Sequence, residues 1–312
     1  MSILVIGTGA IGQRHADNLR DLGEGVSVYS WREGGIDGLR RLLDQTEFEA
    51  AIVCTATNIR LDVLKLTSSL GLPVYLEKPV AFKCADLAAI THCLGPLAER
   101  SFAGFMMRYH PALRFLADKD LKGQFRFDFE IGHDVHQWRQ NWIFAQSYAA
   151  KPEGGGVLLD LCHELDMALT LFPDAKLTTV TSLDHCDHPR VDFATSINLI
   201  TEAASGTVSM DYLSPASKRT IRLRGRDACF DLDLVKNTFY ISDAHDERKM
   251  DGLSIDRQEM FKDTMRDFLR LIRGLHLENP LAPVLSKCAK SNDMICRAWE
   301  ARRFIGTIGG DR

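Results

Sequence analysis

The sequence predicts an α/β domain built on a parallel sheet, followed by an α+β domain with a large, mostly antiparallel open sheet. Three observations carry this. Over the first 120 residues apolar strand-like runs alternate with helical runs, the pattern of a parallel sheet covered on both faces. After about residue 120 the rhythm changes to strand-like segments of alternating polarity joined by short connections. A glycine-rich turn, "GTGAIG", lies between the first strand and the first helix. The expected domains are therefore 1–120 and 121–312, with the last helices available to pack back on the first domain.

The elements follow in order. Residues 3 to 6 form an apolar strand, and "QRHADNLRDLG" after the glycine turn has helical periodicity that stops at Gly23. "VSVYSW" is a second strand, and "GGIDGLRRLLDQTEFEA" opens with turn residues before a helical run. "AIVCTAT" is a third strand and "IRLDVLKLTSSLG" a helix closed by glycine. "LPVYLEKP" is a fourth strand, "FKCADLAAITHCLG" a helix and "SFAGFMM" a fifth strand. Beyond residue 120 come "QFRFDFEIG", "AKLTTVTSL", "DFATSINLI", "AASGTVSMDYL", "KRTIRLRG" and "KNTFYIS", all strand-like. One helix is interposed around 155 to 172, and helical patterns close the chain near 257 to 276 and 284 to 305.

With 312 residues, the chain is long enough for two domains with cores of their own. Its 45 % hydrophobic and 26 % charged residues are those of a soluble globular protein, and a net charge of -4 gives no reason to expect a nucleic-acid surface. No run approaches the roughly eighteen apolar residues of a membrane span. "MSILVIG" enters a strand without a basic leader, so a cytoplasmic location is expected. The cysteines form no C-x-x-C pair, which suits free thiols in a reducing compartment. "DHCDH" at 184 to 188 stands before Pro189 and reads as a polar loop, so no metal is expected.

Gly7, Gly9 and Gly12 fit G-x-G-x-x-G, with Ala10 and Ile11 on the same turn. Between a strand and a helix this spacing has a mechanism. The first glycine permits the tight turn and the second lets the backbone approach a pyrophosphate. The third lets helix and strand pack closely, with the helix N-terminus facing the negative charge. This is the reading of a Rossmann domain that binds a dinucleotide. At the end of the second strand an NAD site usually has an acidic residue, but here the chain reads "VYSWRE". Ser30, Trp31 and Arg32 offer a hydroxyl and a guanidinium, which suit a 2'-phosphate, so NADP is expected. NAD is the alternative if Glu33 turns inward. Thr55, Thr57 and Asn58 end another parallel strand, at the carboxyl edge where open α/β sheets bind ligands. A plain helix cap is the alternative for these three.

The fourth strand ends in Glu77, Lys78 and Pro79 at the same edge, and Pro79 holds Lys78 to extended backbone. An ammonium there can donate to a hydroxyl oxygen and stabilise negative charge as hydride leaves the carbon. Glu77 could orient it or hold a ribose hydroxyl. Further on, "EGGGVLLDLCHELDMALTLF" sets Asp160, His163 and Asp166 at three-residue spacings, which on a helix share roughly one face, within reach of one ligand or of each other. A histidine with a free-solution pKa of ~6.5 is matched to take the hydroxyl proton near neutrality. Asp160 could fix the imidazole tautomer or bind substrate hydroxyls. His133, His136, Trp138, Arg139 and Trp142 in "GHDVHQWRQNW" are candidate substrate contacts, with rings for a sugar and arginine for a phosphate or carboxylate.

These motifs together resemble the Gfo/Idh/MocA family, the glucose-fructose oxidoreductase and inositol dehydrogenase relatives. The resemblance covers essentially the whole chain. It rests on "GTGAIGQRH" at 7 to 15, "EKPVA" at 77 to 81, "GFMMRYHP" at 104 to 111, "GGGVLLDLCHELD" at 154 to 166 and "MDYLSP" at 210 to 215. It implies an N-terminal domain that binds NAD(P), and a C-terminal sheet with substrate on one side and commonly an oligomer interface on the other. By the same resemblance Lys78 is the active-site lysine and His163 the catalytic histidine. Asp160 is the aspartate that holds substrate or orients that histidine, and Arg108 and Tyr109 border the substrate cleft. Two departures stand out. The aspartate-to-histidine spacing is three residues rather than four, and Arg60 stands near the place of a frequent histidine. The implied activity is NAD(P)-dependent oxidation or reduction of a sugar, nucleotide-sugar or cyclitol by a homo-oligomer, a dimer or tetramer. The rivals are a redox-neutral enzyme with tightly held nicotinamide, an imine or carbonyl reductase, and a non-catalytic NAD(P)-sensing regulator.

Overall fold

The computed structural model describes residues 2–135 and 143–309. Along the chain these run β1 (Ser2–Ile6), α1 (Ala10–Asp21), β2 (Val26–Tyr29), α2 (Trp31–Gln45), β3 (Phe48–Val53), α3 (Thr57–Ser69), β4 (Val74–Leu76), α4 (Cys84–Leu94) and β5 (Phe102–Ala103). Then come α5 (Pro111–Ala117), β6 (Gln124–Gly132), α6 (Val157–Asp160), α7 (His163–Leu171), β7 (Lys176–His185), β8 (Ala194–Ile200), β9 (Ser205–Asp211) and β10 (Lys218–Gly225). The last are β11 (Cys229–Asp233), β12 (Thr238–Ser242), β13 (Glu247–Lys249), α8 (Arg257–Ile272), α9 (Ala289–Glu300) and β14 (Arg303–Ile308). The chain divides into two compact units, residues 1–109 with 255–292, and residues 110–254 with 293–312.

In the first unit the strands form one parallel sheet in the order β2-β1-β3-β4-β5. Ile3 to Ile6, Ala50 to Val53 and Val74 to Leu76 are fully buried, because helices cover both faces of these central strands. The strand order reverses between β1 and β3. Ligands bind such sheets in the crevice at the carboxyl ends beside that reversal. α8 belongs to this unit and lies on α1: Phe261 meets the His15 ring edge-on at 5.8 Å, and Lys262 pairs with Asp21 at 3.0 Å.

The second unit is built on a nine-stranded sheet in the order β13-β12-β11-β10-β6-β9-β8-β7-β14. All pairings are antiparallel except β6 with β9 and β14 with β7. Alternation along β6 sends Phe127 and Phe129 inward, where Phe127 stacks on Phe172 at 4.2 Å. The opposite face carries ion pairs across strands, among them Lys218–Glu130 at 2.7 Å and Arg224–Asp231 at 2.6 Å. Each such partly exposed pair adds at most about 1 kcal/mol.

Several element expectations differ from what is found. The helix expected over 155 to 172 is two helices, α6 and α7, separated at Leu161 and Cys162. Leu161 leaves helical geometry (φ -107°, ψ 26°), and the face argument therefore fails across the break. The final helical pattern stops at Glu300, and residues 303–308 instead add an edge strand to the sheet. β13, with its three exposed residues, has no apolar alternation and gave no sequence signal. α2 starts directly after β2 at Trp31, with a non-helical Gly35 (φ 56°) absorbing the turn residues as a kink.

Candidate functional site

The carboxyl edge of the parallel sheet gathers the sequence motifs of the first unit. The main chain turns at Gly7, whose φ of 124° belongs to glycine and whose Cβ would stand 2.9 Å from the Cys54 carbonyl oxygen. A Cβ on Gly12 would lie 2.0 Å from the Gly7 oxygen, so α1 packs on its own turn only without a side chain there. Gly9 is different. It caps α1 with no side-chain hydrogen bond, and a Cβ would meet nothing within 4 Å. Thr55, Thr57 and Asn58 follow β3 across the strand reversal. Thr55 is buried, and its Oγ1 has no hydrogen-bond partner among the described residues. Thr57 and Asn58 open α3 and are half-buried and exposed. At the end of β2, Ser30 is the N-cap of α2, Trp31 is half-buried, and Arg32 and Glu33 are exposed in the first turn.

Glu77, Lys78 and Pro79 leave β4 at the same edge, with a cis bond between Lys78 and Pro79. Glu77 turns inward. Its Oε1 accepts His15 Nε2 at 2.6 Å, and its Oε2 accepts the amide of Lys78 at 3.2 Å. Burial pushes the Glu77 carboxyl up, but His15, Lys78 and Arg60 together outweigh it and hold the group below the usual carboxylate range. An ionised Glu77 can only accept, so His15 Nε2 carries the proton. One Glu77 oxygen is thus engaged by His15 of α1 and the other by the turn's own amide. Gly104 closes the third side. Its Cβ would lie 2.9 Å from the Lys78 nitrogen, so the β5 loop can press on the turn only as glycine. Lys78 itself is half-buried.

In the second unit the triple glycine has a packing reason. A Cβ on Gly155 would come within 2.5 Å of the carbonyl oxygens of Tyr148 and Lys151. Gly156 has φ 92°, and its Cβ would lie 2.0 Å from Asp192 Oδ1. This tight seat sets Tyr148 over the end of α6. Its hydroxyl donates to Asp160 Oδ1 at 2.5 Å, and Tyr212 donates to Oδ2 at 3.0 Å. Asp160 is thus a buried carboxylate held between two phenols. Burial and the Asp160 charge push the Tyr212 hydroxyl well up, so it stays a donor. His163 opens α7 beyond the break and is 8 % exposed. Glu164 beside it is fully buried and pairs with Arg219 Nε at 2.6 Å, while Asp166 is buried on α7.

The remaining expectations fall in different places. Arg108 and Tyr109 are buried in the first unit. Arg108 reaches Ser291 at 3.4 Å, and Tyr109 donates to Asp267 at 2.8 Å, which ties the chain to α8. His133 is half-buried against Tyr212, 5.8 Å between ring centres, and burial lowers its pKa. His136, Trp138, Arg139 and Trp142 lie outside the described residues. In the "DHCDH" segment β7 extends through His185. His185, Cys186 and Asp187 then bring three ligand-type atoms within 4.8 Å of one another at a surface turn, where His185 Nδ1 already accepts the Asp187 amide. Sequence reasoning missed His15, Tyr148, Tyr212 and the Glu164–Arg219 pair. His15 and Tyr212 stood inside quoted motifs, but nothing in their spacing names the partner.

Comparison with known proteins agrees with this architecture. No family model matches the chain. A 4-carboxy-2-hydroxymuconate-6-semialdehyde dehydrogenase of Sphingobium sp. (strain NBRC 103272 / SYK-6) is 24 % identical over 231 residues, covering 69 % of this chain and 72 % of the relative. Among solved structures, a UDP-N-acetylglucosamine 3-dehydrogenase from Acidithiobacillus ferrooxidans superposes with a TM-score of 0.75 at 16 % identity, over 97 % of each chain. The chain has the fold of these oxidoreductases. An oxidoreductase from Agrobacterium radiobacter, solved with NAD+, L-tartaric acid and magnesium, gives 0.76 at 16 % identity over 96 % of each chain. A levoglucosan dehydrogenase solved with NADH and L-sorbose gives 0.76 at 15 % identity, over 96 % of this chain and 95 % of that one. The fold so shared is the parallel dinucleotide-type sheet joined to a large mixed sheet.

Proposed function

We propose that this chain is an NAD(P)-dependent oxidoreductase of the Gfo/Idh/MocA family, moving hydride between nicotinamide and a hydroxyl or keto carbon of a sugar, nucleotide-sugar or cyclitol. The observation that carries the reading is Lys78, fixed by Glu77 on the same carboxyl sheet edge as the Gly7–Gly12 turn. The residues of that edge fit a dinucleotide. Gly9 leaves room for a pyrophosphate at the first amides of α1, and buried Thr55 Oγ1 offers a hydrogen bond that the described residues do not use. When bound, the nicotinamide supplies the hydride acceptor or donor. Ser30 at the N-cap of α2 and exposed Arg32 in its first turn favour a 2'-phosphate, hence NADP over NAD.

In the oxidative direction His163 would take the proton of the reacting hydroxyl, and Lys78 would stabilise the alkoxide that develops as that proton leaves and that becomes the neutral carbonyl when hydride departs. Asp160, held by Tyr148 and Tyr212, keeps both phenols in place around the histidine turn and would brace His163 or bind a substrate hydroxyl. Reduction runs the same groups backwards. A second reading takes a carboxylated aldehyde, oxidised as its hydrate; it is favoured by the name of the Sphingobium relative. A homo-oligomer, dimer or tetramer, is also proposed. The outer sheet face offers a shallow groove edged by Thr181, Ser196, Ser209 and Ile305, the last 66 % exposed. Sedimentation giving a monomer at micromolar concentration would remove that part.

The test is a fluorescence titration of cofactor-free protein with NADPH and, separately, NADH, followed by an activity screen on sugars, cyclitols and carboxylated aldehydes with the tighter cofactor. Tighter NADPH binding and turnover of a polyol are expected. Binding of neither dinucleotide would end the proposal, and binding with no turnover across the panel would point to the cofactor-sensing regulator.

A further inference from the structure

Arg60 is 2 % exposed and sits in the second turn of α3. Its Nη1 donates to the carbonyl oxygens of Glu77 at 2.7 Å, of Val80 at 3.0 Å, and of Pro79 between them. Its Nη2 donates to the Thr55 carbonyl at 2.8 Å. One guanidinium therefore gathers three carbonyls of the turn that carries Lys78 and joins them to the end of the neighbouring strand. Nη1 has two hydrogens for three acceptors, so at least one is shared. The guanidinium sets its second nitrogen on Thr55 while the first serves the turn, a span that the single nitrogen of a lysine ammonium does not have.

A buried cation costs several kcal/mol unless it is compensated. Compensation is present in the four carbonyl dipoles and the ionised Glu77. Burial draws the Arg60 pKa down to about 10 while the Glu77 charge pulls it back, so the group is cationic at neutral pH. The backbone segment it binds, Glu77 to Val80, has Lys78 in its middle. His15 holds the Glu77 side chain from the other direction. The arrangement fixes a backbone, and the amine it presents is that of Lys78.

We infer that Arg60 is the positioning residue for Lys78, setting the lysine turn by gathering its carbonyls. The inference rests on Lys78 being the active-site lysine proposed above. It goes beyond that reading in giving a role to a buried residue outside the cofactor and substrate contacts proposed above.

The test uses the full chain as wild type, Arg60→Lys, Arg60→Met and Arg60→Ala. Labelling of Lys78 by an amine-reactive reagent is quantified by peptide mass spectrometry with and without saturating NADPH, and NADPH affinity is measured by fluorescence. In the wild type NADPH should protect Lys78. In Arg60→Ala and Arg60→Met protection should be largely lost while NADPH affinity stays within a few-fold. Arg60→Lys should restore it only in part, and added guanidinium, but not methylammonium, should restore it in Arg60→Ala. Turnover of whichever panel compound the wild type uses should fall about a hundredfold in kcat with KM little changed, the size expected of a misplaced catalytic group. Full protection and near-normal kcat in folded Arg60→Met would overturn the inference. So would loss of NADPH binding from that folded variant, since Arg60 would then serve the whole sheet edge. If all three variants fail to fold, Arg60 is a stability residue and the inference falls. Absence of protection in the wild type is a separate result: it strikes the proposed function itself, because Lys78 would then not lie beside the nicotinamide.

Discussion

Lys78 illustrates how far a single residue can be read. Its place at a strand end beside a proline was legible, since both facts are local. Glu77 was legible too as a neighbour that could orient it, but His15, Gly104 and Arg60 were not, because they come from three other elements. At this scale the functional proposal makes two predictions. Lys78→Ala and His163→Asn should each lower kcat by about 10²–10⁴-fold, with circular dichroism and melting temperature near wild type. Near-full turnover by either would remove that residue from the mechanism. Arg32→Asp should reverse the ratio of NADPH to NADH affinity by placing a carboxylate where a phosphate would sit and a ribose diol could bind. An unchanged ratio clears Arg32.

At the scale of elements, the triple-glycine turn shows why a motif's meaning needs its neighbours. The sequence presents three glycines before a helix; the structure shows Gly155 pressed on the Tyr148–Lys151 carbonyls and Gly156 on Asp192. Asp192 in turn accepts the Leu158 amide at 2.9 Å and pairs with Arg302. Gly156→Ala should therefore destabilise the protein by about 1–3 kcal/mol, from a strained positive φ and a clash with a buried carboxylate. Urea denaturation measures it, and a loss under about 0.5 kcal/mol would mean the loop relaxes freely. The break between α6 and α7 was invisible for the opposite reason. Leu161 and Cys162 have no sequence feature that stops a helix, and the turn there is set by Asp160 reaching Tyr148 and Tyr212, 12 and 52 residues away. The first half of the strand at 303–308, as far as residue 305, was likewise read as helix. Its pairing with β7 across the sheet edge overrides a local pattern that is nearly neutral.

For the molecule as a whole, stability against pH carries a signature of one buried histidine. His110 is 3 % exposed and caps α5 by accepting the Ala112 amide on Nδ1 at 3.1 Å. Burial, with the charges of Arg219 and Arg114, lowers its pKa to about 4. Above pH ~6.5 both folded and unfolded forms hold it neutral. Between ~6.5 and about 4 only the unfolded chain takes the proton, so stability falls as pH drops, by up to about 1.4 kcal/mol per unit. His110→Asn keeps a capping oxygen and has no such proton. Its stability should decline less than that of the wild type over this window in chemical denaturation, and identical slopes would show that His110 is not held neutral.

The sequence by itself determined the alternation that makes a parallel sheet, the glycine turn, the change to an alternating strand pattern and the lysine-bearing strand end. These depend on period and on steric rules that act over a few residues. Only the tertiary structure decided which groups share a hydrogen bond. Glu77 takes His15 from 62 positions away, Tyr109 takes Asp267 from 158 away, and Arg60 finds four carbonyls on two strand ends. A buried polar atom must have some partner, but a one-dimensional pattern does not say which of many donors the packing of distant elements will bring within reach.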